Sequence, residues 1–116
     1  MRHRNKLKIL DRKKKSRGAL MKNLACQLII YEKIKTTEAK AKYLKPIVEK
    51  MVTRSKKDNL ANRRLLISKL PIKKAVKKIF EVYGQRYKDR QGGYLRIIKL
   101  GTRKGDGAKM VLIEFV

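Results

Sequence analysis

The stretch that decides the fold runs from Ile72 to Phe115: IKKAVKKIFEVYGQRYKDRQGGYLRIIKLGTRKGDGAKMVLIEF. Its first part repeats at helical spacing, with Ile72, Ala75 or Val76, Ile79 or Phe80, and Tyr83 on one face. Lys73, Lys74, Lys77 and Lys78 take the other face, and Gly84 stands where a helix end favours positive φ. Beyond Gly84 the apolar period falls from about 3.6 residues to about 2. Tyr94 to Leu100 and Lys109 to Phe115 are rich in β-branched, aliphatic and aromatic residues, and the eight residues between them include three glycines. This spacing predicts a β-hairpin with a long basic loop and Asp106-Gly107 as its turn. A helix leading into a hairpin makes the class α+β.

Upstream, Leu20, Leu24 and Leu28 recur every four residues, flanked by Met21 and Ala25, with Ser16 available as an N-cap. Glu32 to Thr36 alternates, Ile34 inward and Lys33 and Lys35 outward, which suits an edge strand or extended link. Thr36 or Thr37 caps a second helix with Glu38 in its first turn and Ala41, Leu44, Ile47 or Val48, and Met51 as its apolar face. Pro46 lies inside that pattern and is expected to bend or break it. A third short helix follows an Asp58 or Asn59 cap, packs through Leu60, Leu65 and Leu66, and is closed by Pro71. The expectation is about four helices packed on a small mixed sheet with a C-terminal β-hairpin. A basic extended N-terminal arm, residues 1–17, precedes a single compact α+β domain, residues 18–116.

Charge bounds the function. The chain has 34 Lys and Arg against nine Asp and Glu, a net +25. Residues 1–17 alone hold nine of the cations and one acid, Asp11. The excess continues along the chain, +10 over residues 1–35, +7 over 36–70 and +8 over 71–116. Such like charge opposes compaction by self-repulsion, and a small soluble domain needs a magnitude of only about 2–8. A polyanion that neutralises the excess explains it: the chain reads as a nucleic-acid binder.

Other classes fall away. The single cysteine, Cys26, sits in an apolar stretch and reads as a small buried hydrophobe rather than a reactive thiol. The best apolar run, Leu24 to Tyr31, is too short for a membrane helix, and the charged opening lacks the apolar core of a secretory signal. Cytoplasm is the default compartment. The only histidine is His3, and the acids are dispersed singly, so neither a catalytic constellation nor a metal cluster can be assembled. The chain is expected not to be an enzyme, with no cofactor, no metal, no small-molecule substrate and no membrane partner.

Four regions offer nucleic-acid contacts. Arg2, Arg4, Lys6, Lys8, Arg12, Lys13, Lys14, Lys15 and Arg17 are spaced along the arm, where an unfolded segment can follow a bending phosphate backbone. In YGQRYKDRQGGYLRI, Arg86, Lys88 and Arg90 interleave with Tyr83, Tyr87 and Tyr94, and Gly92 and Gly93 allow the backbone to approach a phosphate closely. Unpaired bases stack on tyrosines or guanidinium planes; the competing reading makes the tyrosines core or sheet residues, above all Tyr83. GTRKGDG lacks the Gly-Lys-Ser/Thr and the following helix of a phosphate loop, so it reads as a hairpin loop presenting Arg103 and Lys104. Arg63 and Arg64 are adjacent on the third helix, so at most one faces the core and one contact from the pair is expected. The alternative is a DNA-binding architectural or regulatory protein, although no dimerising heptads or helix-turn-helix are evident. A membrane-active basic amphipath is a third reading, disfavoured by the four acids and glycine-rich hairpin of the last third.

The same residues carry a family resemblance. MRHR at residues 1–4, RGALMKNLA at 17–25, IKTTEAKAK at 34–42, ANRR at 61–64, KDRQGGYLRIIK at 88–99 and RKGDGAKMVLIEFV at 103–116 together resemble bacterial-type large-subunit ribosomal protein seventeen. The resemblance implies a structural component of the large ribosomal subunit that binds large-subunit ribosomal RNA beside neighbouring large-subunit ribosomal proteins, in the cytoplasm or in an organellar ribosome. It adds His3 and Arg96 and supports, as RNA contacts, Arg2, Arg4, the cations through Arg17, Arg63, Arg64, Arg90, Gly92, Gly93, Tyr94 and Arg103. It also implies a compact α/β body near the nascent-chain exit. Departures are KKKS at residues 13–16, Tyr43 and Gln85. Lysine outnumbers arginine by 23 to 11, which favours point-charge contacts over forked ones.

Overall fold

The computed structural model describes residues 14–116. The first helix, α1 (Lys14–Tyr31), buries Met21, Ala25, Cys26, Leu28 and Ile29. Leu20 and Leu24 are only partly buried at the edge of this face, so the stripe is rotated from the Leu20-Leu24-Leu28 line. Lys14, Lys15 and Arg17, assigned to the arm, lie in the first turn of α1 instead. Their straight side chains lose little freedom in a helix, so high charge alone does not keep them extended. The remaining arm residues, 1–13, lie outside the described residues. Cys26 is wholly buried, and burial pushes its thiol above the ordinary value, as suits an inert packing residue.

Glu32 ends α1. Its φ of 68° is left-handed, and its N–H donates to the Leu28 carbonyl at 2.8 Å, which closes the last turn. The chain then enters β1 (Lys33–Thr37) with Thr36 buried and Ile34 partly so. The Thr37 hydroxyl accepts from the Lys40 N–H at 3.5 Å and caps α2 (Glu38–Ser55). Ala41, Leu44, Val48, Met51 and Val52 form the buried face of α2. Pro46 does not break this helix. It is exposed, where water can serve the carbonyl that its missing N–H leaves unbonded.

Asn59 caps α3 (Leu60–Lys69), its side chain accepting from the Asn62 N–H at 2.8 Å. Of the three leucines expected to pack, only Leu66 is buried; Leu60 is 64% exposed. The buried leucine that finishes the unit is Leu70, just past the helix.

A fourth rod consists of α4 (Lys73–Lys78), a π-helical turn (Ile79–Tyr83) and a last turn, α5 (Gly84–Arg86). Ala75, Val76, Ile79, Phe80 and Tyr83 are buried as the stripe requires, whereas Ile72 is a half-exposed N-cap. Gly84 does not take positive φ; it is helical at −58°, and its N–H bonds back to the Ile79 carbonyl. A methyl group there would sit 2.6 Å from the Ser55 carbonyl oxygen. Gly84 therefore lets the rod lie close against the C-terminal end of α2.

The hairpin strands are β2 (Leu95–Thr102) and β3 (Lys109–Phe115), and the sheet order is β1-β3-β2. Pairing is antiparallel throughout rather than mixed, because β3 lies between two strands that both run against it. Ile113 aligns with Ile34 on one side and Ile97 on the other, while an irregularity between Lys99 and Gly101 leaves Leu100 outside the regular register. Val111, Ile113, Phe115 and Leu95 join the helical faces in one core. The architecture is the expected α+β body. Among the described residues no helix is long and apolar enough to cross a membrane.

Candidate nucleic-acid interface

The tyrosines interleaved with cations are interior residues. Tyr83, Tyr87 and Tyr94 are at most 4% exposed. Tyr83 stacks on Phe115 with ring centroids 3.9 Å apart, and Tyr87 meets Tyr94 at 5.1 Å. Their hydroxyls are used internally: Tyr83 donates to the Ile29 carbonyl at 2.7 Å and Tyr87 to the Val116 carbonyl at 2.7 Å. Base stacking on Tyr87 or Tyr94, one of the two sequence readings, is unavailable because those faces are packed against other side chains. The alternating pattern is the imprint of an aromatic core with a charged exterior.

Tyr94 acts instead as a staple. Its N–H donates to Glu49 Oε2 at 3.2 Å, and its hydroxyl lies 3.1 Å from Thr53 Oγ1 and donates to the Arg90 carbonyl at 3.2 Å. Lys56 also donates to the Arg90 carbonyl and lies 4.9 Å above the Tyr94 ring. These bonds fasten the loop before β2 to α2. Gly92 has φ of 99° and Gly93 63°, conformations that explain the glycine pair without any ligand.

Four of the six body arginines nominated as contacts are engaged by carboxylates. Arg63 grips Asp58 at 2.6 Å and lies over the Phe80 ring, so it is the body-facing member of its pair while Arg64 is exposed. Arg86 reaches Glu32 at 2.9 Å across the Tyr83 ring, and Arg96 reaches Glu114 at 2.7 Å on the neighbouring strand. Arg103 clasps Asp106 within the hairpin loop. Guanidinium groups keep further donors for RNA, but the charge of these four is balanced locally. Arg64 and Arg90 have no carboxylate within 4.0 Å among the described residues, and Lys104 is likewise exposed and unpaired there.

Arg103 and the Ala108 N–H hold the Asp106 carboxyl down to about 2, from an ordinary 3.8. A group whose folded value is depressed contributes stability above its unfolded value and loses it on acidification. Clasping of the hairpin loop is therefore complete above pH 3.8 and is lost as the pH falls through about 2. A carboxyl-carbon NMR titration of Asp106 should show this low midpoint, and Arg103→Ala should move it back towards the ordinary value.

One concave surface gathers cations from two helices beside the glycine loop. A groove of about 490 Å³ runs between α2, α3 and the loop before β2, lined by Glu49, Lys50, Met51, Thr53, Arg54, Leu66, Lys69, Gly92 and Tyr94. No described carboxylate lies within 4.0 Å of Lys50, Arg54 or Lys69. Two other concavities also hold more cations than acids: Arg63, Lys73 and Lys77 beside Glu81 in one, and Lys42 and Lys109 beside Glu38, which pairs with Lys42, in the other. Sequence reasoning missed Lys50, Arg54 and Lys69. Lys50 and Arg54 stand four apart on the exposed side of α2, a spacing that could have flagged them. Nothing local announces that Lys69 closes the same groove from another helix.

This cationic body matches the family described as Ribosomal protein L17 over residues 20–116. The chain belongs to that family. A large ribosomal subunit protein bL17 of Bradyrhizobium diazoefficiens is 54% identical over 116 residues, covering all of this chain and 84% of the relative. The corresponding protein of Roseobacter denitrificans is 52% identical, with all of this chain and 83% of the relative covered. That of a Hydrogenobaculum species is 49% identical over 117 residues and is covered to 99%. The family match takes in α3, the loop before β2 and the hairpin, and so includes the whole groove.

Proposed function

We propose that the chain is a structural, non-catalytic constituent of the large ribosomal subunit and binds large-subunit ribosomal RNA, with neighbouring large-subunit proteins as its protein partners and the cytoplasm as its compartment. The observation that carries this reading is a net charge of +25 on a member of the ribosomal protein L17 family. Contacts are assigned to the basic segment Arg2 to Arg17, with His3, and to the exposed cations Arg64, Arg90 and Lys104. The groove residues Lys50, Arg54 and Lys69 join them. Arg63, Arg86, Arg96 and Arg103 serve first as ion-pair partners within the body and offer RNA only their remaining donors. Gly92, Gly93 and Tyr94 shape the loop.

Binding driven by phosphate neutralisation releases counterions, so affinity for ribosomal RNA should fall steeply with salt, with a log–log slope of roughly −0.7 to −0.9 per phosphate contacted. Filter binding across a salt series, with duplex DNA as competitor at each concentration, measures this. Ribosomal RNA is expected to hold the chain where duplex DNA does not. A shallow slope, or equal competition by duplex DNA, would count against the proposal and favour the architectural alternative.

A further inference from the structure

We infer that the groove between α2, α3 and the loop before β2 seats one unpaired nucleotide of the RNA, its base inside and its phosphate among Lys50, Arg54 and Lys69. This rests on the ribosomal RNA reading and adds a specific subsite to it. A phosphate ribbon needs only exposed cations, such as Lys73 and Lys74 on α4, and no concavity. Here the three cationic heads surround a lining that is largely carbon, supplied by the lysine and arginine stems over the buried Met51, Leu66 and Tyr94. The volume of about 490 Å³ lies within the range of small-ligand pockets, roughly 300–1,000 Å³. Carbon between cations suits a flat, weakly hydrated base carrying a phosphate.

Gly92 forms one wall, and a methyl group there would meet no protein atom within 4 Å, so the backbone leaves the mouth open. Glu49 uses Oε2 for the Tyr94 N–H and has Oε1 as a further acceptor. A carboxylate oxygen beside the base favours an exocyclic amino group, as on cytosine, over the carbonyl of uracil. Unpaired RNA bases are already unstacked, so seating one costs less than extracting it from a duplex.

The test uses the full chain labelled with carbon-13 at its methionine methyls. Titration with cytidine monophosphate should shift the Met51 methyl through the ring current of the seated base and leave Met21 and Met110 in place. Uridine monophosphate should need a higher concentration for the same shift, and ribose 5-phosphate should produce none. If ribose 5-phosphate moves Met51 as far as the nucleotides, the site takes phosphate alone and the base seat is wrong. Equal response to the two nucleotides would overturn the role of Glu49. Replacing Lys50, Arg54 and Lys69 together by alanine should lower the salt slope for ribosomal RNA by roughly 0.7–0.9, the share of one phosphate, and abolish the Met51 response. Replacing Lys73, Lys74 and Lys77 should leave that response intact. Steep salt dependence with an unmoved Met51 would sink the subsite while sparing the general function; loss of ribosomal RNA binding by the wild-type chain would sink the function.

Discussion

Gly84→Ala is expected to destabilise the chain by about 2–3 kcal/mol, the ordinary cost of forcing atoms into a filled interior. Propensity alone predicts the opposite sign, since alanine is favoured over glycine within a helix by about 1 kcal/mol. Gly84 is helical, with φ of −58°, so the substitution introduces no backbone strain. Contact decides the outcome: the new methyl would lie 2.6 Å from the Ser55 carbonyl oxygen, and main chain cannot swing aside as a flexible side chain can. Relief requires the rod to move away from α2, which would loosen Tyr83 against its neighbours. At roughly 4–8 °C per kcal/mol for a domain of this size, thermal unfolding followed by circular dichroism should show a fall on the order of 10 °C. Gly18→Ala is the matched control, because α1 has nothing within 4 Å of that position. It should stabilise by a few tenths of a kcal/mol up to about 1 kcal/mol. Equal melting of Gly84→Ala and the parent would mean that the rod and α2 separate at little cost.

That contrast shows what can be read from one strand of letters. The stripes of α2 and α4, the Thr37 cap, the edge strand around Ile34 and the C-terminal hairpin all rest on neighbours within four residues or on a period of two, so they are visible locally. Gly84 invites a local explanation as a helix stop, yet its reason lies at Ser55, twenty-nine positions earlier. Arg86 and Arg96 are similar: side-chain chemistry suggests phosphate contacts, while the partners Glu32 and Glu114 are remote in sequence. The Tyr83-Tyr87-Tyr94 pattern is compatible with both a stacking platform and a core, and only the arrival of Phe115 decides it. Shape follows the same rule, since the groove requires α2, α3 and the Gly92 loop to meet. The charge reading succeeded because net charge needs no partner to be counted.

Phe115→Ala should cost about 3–5 kcal/mol, the range for truncating a buried aromatic. Phe115 is 8% exposed and lies within 3.9 Å of the Tyr83 centroid and 6.2 Å of the Tyr87 centroid. Because whole domains are stable by only about 5–15 kcal/mol, this variant could unfold outright, and Phe115→Leu supplies the graded test. Keeping most of the volume, it should cost less than about 1.5 kcal/mol, yet remove the flat surface on which Tyr83 and Tyr87 rest. The consequence extends to the proposed RNA site. Val116 donates its N–H to the Tyr94 carbonyl at 2.9 Å, and Tyr94 in turn fastens the Gly92 loop to Glu49 and Thr53. Hydrogen exchange on Phe115→Leu should therefore speed up at the Tyr94 amide while the amides of α1 stay protected. Weaker ribosomal RNA binding at unchanged global fold is expected alongside it, because a loosened loop must be ordered again when RNA binds. If Tyr94 exchange stays slow, the aromatic cluster and the loop are independent, and the groove owes its shape to α2 and α3 alone.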